Sequence, residues 1–220
     1  FYLDQEKNLW IGTGGNGLFV RNNNGSVRKF YRSGDSGADD IKGIEMDNES
    51  IWLATTNGVI VLDKTGKSEK KFDINNGLPH NSINKVFLTR EGAAYIGTES
   101  DKLYKMDRDF NITASTSSMY GSFRNKILSF SQSSDGAIWA ATDGNGIFRF
   151  LNDSVSAISK SNDLMANFCY SILADVDNNI WVGHSKGFSR YNSNTGTVRI
   201  FGTDFAKAGV CNASGMFESA

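Results

Sequence analysis

Gly12, Gly14 and Gly17, in the stretch WIGTGGNGLF (10–19), have the spacing G-x-G-x-x-G. Between a strand and a helix, that spacing lets backbone N–H groups cradle a pyrophosphate. Few other residues offer chemistry. There are two histidines, His80 and His184, one adjacent carboxylate pair, Asp39 and Asp40, and two cysteines, Cys169 and Cys211. Their spacings match no zinc signature, and no metal site is expected. Adjacent residues on an extended chain point apart, so Asp39 and Asp40 make a poor glycosidase pair. No Ser/His/Asp or Cys/His nucleophilic constellation stands out, and no catalytic residue is expected in this chain. The cysteines stand three residues out of register with one another, which disfavours a disulfide.

The glycine pattern needs a helix after its third glycine, because the pyrophosphate rests on that helix's N-terminus. Here Gly17 is followed by LFVRNNNG, which reads as a strand and a turn. The elements around it repeat. KNLWIGTGGNGLFV, ESIWLATTNGVIVL, GAAYIGTESDKLYKM, GAIWAATDGNGIFRF and NNIWVGHSKGFSRY carry anchor aromatics at Trp10, Trp52, Tyr95, Trp139 and Trp181. Asn81, Asn125 and Asn167 stand fourteen residues before the last three anchors, and Asn212 opens a partial sixth repeat at 212–220. An apolar residue recurs ahead of each anchor: Phe1, Ile44, Val86, Phe130, Ile172 and Phe217. Only the turn-forming character of GTGGNG recurs between repeats, so these glycines are expected to serve a hairpin turn with φ > 0, and no cofactor is expected.

Each period of about 43 residues reads as four strands. In the third they are placed at 83–89, 93–98, 102–107 and 111–116. The corresponding fourth strands elsewhere, VRKFY (27–31), SEKKFD (68–73) and TVRIF (197–201), alternate polar and apolar as half-exposed outer strands should. The IWVG-type strands are mostly apolar, as a strand buried on both faces requires. No segment has a sustained 3.6-residue period. Residues 1–220 are therefore expected to form one all-β domain: a β-propeller of four-stranded antiparallel blades, five of them present, as part of a seven-bladed ring. Each anchor aromatic would be a wedge between blades.

The repeat motif resembles the two-component regulator propeller repeat, and NGLPHNSINKVF (76–87) looks like that family's link into the next blade, with NDLMANFCYSIL (162–173) a degenerate copy. WD repeats would show Gly-His and Trp-Asp signatures, which do not recur here. The resemblance implies the periplasmic sensor region of a membrane-bound hybrid histidine kinase of Bacteroides type. It implies a carbohydrate or other polar ligand, and a homodimer formed through the parent receptor. The third repeat departs from the motif, with Tyr95 for Trp and no glycine in its turn. The resemblance also implies that phosphotransfer lies outside this chain.

Propeller ligands usually meet the face formed by the turns between second and third strands and by the links between blades. The candidate ligand-binding residues there are Asp39, Asp40, His80, Asn81, Arg124, Asn125, Asn167 and His184. Their carboxylate, amide and imidazole groups suit sugar hydroxyls. The asparagines equally suit a structural capping role, because every repeat has one. The alternatives are a glycan lyase or hydrolase, and a protein-interaction propeller. The 23 basic and 24 acidic residues are well mixed, with a net charge of -1, which disfavours nucleic acid. No apolar run approaches the ~20 residues needed to span a bilayer, so no membrane contact by this chain is expected. Residue 1 is Phe, so the chain is expected to be an excised or processed piece.

Overall fold

A computed structural model describes residues 1–99, 103–114, 126–152 and 154–202. Among them, twenty strands form five four-stranded antiparallel meanders. The first sheet comprises Tyr2–Leu3, Leu9–Gly12, Leu18–Arg21 and Val27–Tyr31. The second comprises Ile41–Met46, Ser50–Thr55, Gly58–Asp63 and Glu69–Phe72, and the third Ile83–Leu88, Ala94–Thr98, Leu103–Met106 and Ile112–Ala114. The fourth is Ile127–Gln132, Ile138–Thr142, Ile147–Leu151 and Ser154–Ile158, and the fifth Ser171–Ala174, Asn179–His184, Gly187–Asn192 and Val198–Phe201. The third sheet's strands lie within the ranges read from the sequence. The chain divides into two compact units, residues 1–115 with three sheets and 116–220 with two.

Three of the anchor aromatics pack between neighbouring sheets, whereas the Trp181 ring meets Phe188 and Phe201 of its own sheet. Trp10 belongs to a buried cluster shared by the first and second sheets, with Leu18, Ile44, Leu53 and Ile60. Trp52 packs with Val86, Ile96 and Tyr104 of the third sheet. Trp139, with no exposed surface, packs with Ile172, Ile180 and Val182 of the fifth. Burying such a side chain contributes roughly 1.5–3 kcal/mol or more. Each indole N–H is also satisfied. Trp10 donates to Asp4 at 2.8 Å, Trp52 to Asp47 at 3.4 Å and Trp181 to Asp175 at 2.9 Å. Trp139 donates to Ser133 Oγ at 3.0 Å. Each partner sits in the hairpin turn ahead of its own tryptophan, so the wedge also pins that turn. Ile44, Val86, Phe130 and Ile172 are buried as the repeat requires, whereas Phe1, which precedes the two-residue first strand, is 87% exposed. Phe217 lies outside the described residues.

The opening glycine pattern is a hairpin device. Gly17, Gly58, Gly146 and Gly187 each begin or precede a third strand with φ of 79°, 104°, 80° and 143°. A Cβ at these positions would run into the carbonyl oxygen of Tyr31, Phe72, Ile158 or Phe201 on the neighbouring fourth strand. Only glycine satisfies both the positive φ and the close approach. Thr13, Thr55 and Thr142 close the same turns by donating from Oγ1 to the Gly17, Gly58 and Gly146 carbonyls at 2.8 Å.

The links add two short 3-10 turns that the periodicity did not reveal, Ile74–Asn76 and Lys160–Asn162. Both carry a capping box, from Asp73 with Asn76 and from Ser159 with Asn162, and both end on a left-handed residue, Gly77 and Asp163. Leu78 and Leu164 follow as buried plugs.

Gly146→Ala is expected to lower the unfolding free energy by at least about 1 kcal/mol. Gly14→Ala, whose added Cβ would come no nearer than 3.7 Å to Asp40 Oδ1, should change it by less than about 0.5 kcal/mol. Urea unfolding of both variants checks this.

Candidate functional site

Within the first unit, the second sheet's turn brings two links together. The Thr56 N–H donates to the Asp40 carbonyl at 3.2 Å and the Gly58 N–H to the Asn81 carbonyl at 2.6 Å. Asp39, Asp40, His80 and Asn81 thus share one end of this unit. Their side chains do different work. Asp39 is 1% exposed, and its carboxylate accepts from the Ser33 and Gly34 N–H groups at 2.8 and 3.2 Å and from Arg32 Nε at 3.3 Å. Its carbonyl takes the Gly15 and Gly17 N–H groups. Asn81 Oδ1 accepts the first N–H of the 3-10 turn, from Ile74, at 3.0 Å. Asp39 and Asn81 are therefore frame-builders. Asp40 keeps an accessible carboxylate, paired with Lys42 Nζ at 2.9 Å, and the His80 imidazole is exposed.

In the second unit, Asn167 repeats the Asn81 arrangement, accepting from the Lys160 N–H at 2.7 Å while its carbonyl takes the Gly146 N–H. Its neighbour Phe168 pairs with Asp143 in an isolated antiparallel bridge. Arg124 and Asn125 lie outside the described residues, as do Cys211 and Asn212.

His184 does not reach the surface. It stands where other sheets place the turn threonine, its turn to Gly187 has the length of the Thr55–Gly58 turn, and like Thr55, Thr98 and Thr142 it has no exposed surface. Nδ1 lies 3.0 Å from the Phe168 carbonyl and Nε2 lies 3.0 Å from Ser189 Oγ. The carbonyl can only accept, so Nδ1 carries the proton and Nε2 accepts from Ser189, whose Oγ in turn takes the Met165 N–H at 3.1 Å. Cys169 Sγ, 3.9 Å from Nδ1, is a free, buried thiol pushed up to about 12 by desolvation. With Nδ1 donating elsewhere and burial disfavouring the thiolate, this cluster is a latch between link and sheet.

Glu45, on the first strand of the second sheet, escaped the sequence reading. Burial pushes its carboxyl up to about 7, and the Lys85 ammonium offsets this only in part. Nothing in the repeat marked it, because the equivalent positions Tyr2 and Phe87 carry other side chains.

The described residues also form a cavity of about 550 Å³ at the opposite end of the first unit, between the first and second sheets. Trp10, Val20, Phe30 and Met46 are among its apolar lining, and Glu6, Arg28, Asn48 and Lys64 among its polar lining. No group of three or more His, Cys, Asp or Glu capable of holding a metal occurs among the described residues.

No protein-family model matches the sequence, and no curated protein matches it. Solved structures do. An extracellular domain assigned to the hybrid two component system BT3049 of B. thetaiotaomicron superposes with a TM-score of 0.81 at 23% identity, over 95% of this chain and 29% of that one. A second such domain from that organism, BT4673, gives 0.65 at 16% identity, over 97% of this chain and 34% of that one. Virginiamycin B lyase from Staphylococcus aureus gives 0.74 at 15% identity, over 91% and 68%. The fold is thus an all-β array of propeller blades, shared by extracellular domains of two component systems and by a lyase, and the chain spans about a third or less of the two extracellular domains. No helix among the described residues is long and apolar enough to cross a membrane.

Two opposite pH effects follow. His184 has its pKa lowered by burial, with the Phe168 carbonyl opposing. Its stabilising contribution is complete above the unfolded value of about 6.5 and is lost as pH falls below it. Glu45 has its pKa raised, so its contribution is present below about 4.5 and lost as pH rises through about 7. His184→Thr should flatten the loss of unfolding free energy between pH 7.5 and 5. Glu45→Gln should raise the urea midpoint at pH 8 relative to the parent and give no gain at pH 4.

Proposed function

We propose that this chain is part of the extracytoplasmic, periplasmic sensor propeller of a hybrid two-component receptor. The observation that carries this reading is the likeness, over 95% of the chain, to the BT3049 extracellular domain. The chain would recognise a carbohydrate or another polar ligand and signal across the membrane through domains outside it, by a changed arrangement of a receptor homodimer. Such a signal requires different ligand affinities in two receptor states. On the link face, the accessible His80 imidazole and Asp40 carboxylate are the groups a ligand would meet in the first unit. Arg124 and Asn125, outside the described residues, remain ligand-binding candidates by their place in the repeat alone.

The likeness to virginiamycin B lyase favours a second reading, a propeller lyase. Thermal unfolding with a panel of neutral and acidic oligosaccharides separates the two. The sensor reading expects a stabilising shift, corresponding to about 2.7 kcal/mol at a hundredfold excess over Kd, with the sugar recovered intact. Recovery of cleaved product supports the lyase. No shift with any oligosaccharide overturns carbohydrate recognition by this chain.

A further inference from the structure

Asparagine often precedes the glycines that the turns require. Asn-Gly occurs five times: at Asn16, Asn57 and Asn145 between second and third strands, at Asn24 between a third and a fourth strand, and at Asn76 in a link. The pair is chemically labile, because no Cβ obstructs attack of the glycine nitrogen on the asparagine Cγ. A bond from that nitrogen to Cγ forms, the Cγ–Nδ2 bond breaks and ammonia leaves. Water then opens the succinimide ring at either carbonyl, giving aspartate or isoaspartate.

The fold treats the five pairs differently. Gly17, Gly58 and Gly146 are buried, and their N–H groups donate to the Asp39, Asn81 and Asn167 carbonyls at 3.1, 2.6 and 2.8 Å. A nitrogen held there is withdrawn from attack until the link itself opens. Asn76 is tied back along the chain: its Oδ1 accepts from the Asp73 N–H and its Nδ2 donates to the Lys71 carbonyl at 2.7 Å. Asn24 has neither protection. The Gly25 N–H donates to the Asn22 carbonyl at 2.9 Å, but residues 23–26 are all exposed, so no buried contact resists opening of the turn. The Asn24 amide is directed forward past Gly25, its Oδ1 accepting from the Ser26 N–H at 3.0 Å and from Ser26 Oγ at 2.7 Å. Those two donors stabilise the negative charge that develops on Oδ1 when Cγ is attacked.

We propose that Asn24–Gly25 is a site of spontaneous covalent modification, deamidation through a succinimide, and that the link carbonyls of Asp39, Asn81 and Asn167 shield the other hairpin asparagines from the same chemistry. Isoaspartate at 24 adds a main-chain methylene to the turn between the paired Arg21 and Val27. Either product places a carboxylate in a stretch, 20–34, whose charged residues Arg21, Arg28, Lys29 and Arg32 are all basic.

The test is peptide mapping by mass spectrometry of the folded chain held at pH 8.5 and 37 °C, beside a sample unfolded in urea. In the folded chain, the tryptic peptide 22–28 is expected to convert at least about tenfold faster than the peptides carrying Asn16, Asn57, Asn76 or Asn145. In urea all five should convert at similar rates. Fragmentation places the new acid at 24 and separates isoaspartate from aspartate. Ser26→Ala, which removes one donor to Oδ1, should slow the folded-state reaction about three- to tenfold, with circular dichroism matching the parent. Conversion at Asn24 no faster than at Asn16 in the folded chain overturns the proposal, as does an intact Asn24 amide once the urea sample has reacted. A Ser26→Ala rate equal to the parent's overturns the role assigned to Ser26.

Discussion

The constraint on which this molecule depends is that a four-stranded sheet with two apolar faces cannot be left in water. Trp10, Trp52 and Trp139 answer it by filling the space between one sheet and the next, and the hairpin ahead of each accepts the indole N–H. A buried indole donor without a partner would cost about 1–3 kcal/mol, so the acceptor in the turn is as necessary as the ring. Turn, wedge and neighbouring sheet are thereby fixed as one device. The same logic reaches the carboxylates. Burial pushes the pKa of Asp175 up, but hydrogen bonds from Trp181 and Asn179 outweigh it and hold the group below its ordinary value.

Much of this was legible because a repeat reports its own register. Once aromatics recur every 42 to 44 residues, strand positions in one period calibrate the others, and the third sheet's strands were placed to within a residue or two. The failures have physical causes. Asp39 plays the part of Asn81 and Asn167, yet it stands thirteen residues before its anchor and not fourteen. The hairpin between paired Met46 and Ile51 holds residues 47–50, whereas that between Leu88 and Ala94 holds 89–93. One residue lost from a turn moved the acceptor out of the pattern. The 3-10 turns escaped because their signal is a cap, written in Asp73, Asn76, Ser159 and Asn162, and has no hydrophobic period.

The candidate site was less legible than the frame. Residue type identified His184 as a departure, but the burial of Thr55, Thr98 and Thr142 at the same place in other sheets shows that the position faces inward. Asp39, Asn81 and Asn167 looked like ligand donors because polar groups near a link suit either role; their backbone-directed hydrogen bonds show which role each fills. Glu45 was invisible because only one sheet carries a carboxylate at its position. What distinguishes one blade from its neighbours is thus carried by single residues on a common frame, and a period-based reading averages such residues away.

The outer turns of the second and third sheets have a broader consequence. They differ by one residue, 63–68 between the paired Leu62 and Glu69 and 107–111 between Met106 and Ile112, yet each places a left-handed residue, Gly66 or Phe110, whose N–H returns to the carbonyl of the aspartate that opens the turn. Outer turns can therefore change in length and in side chain, blade by blade, while the sheets beneath keep their pairing.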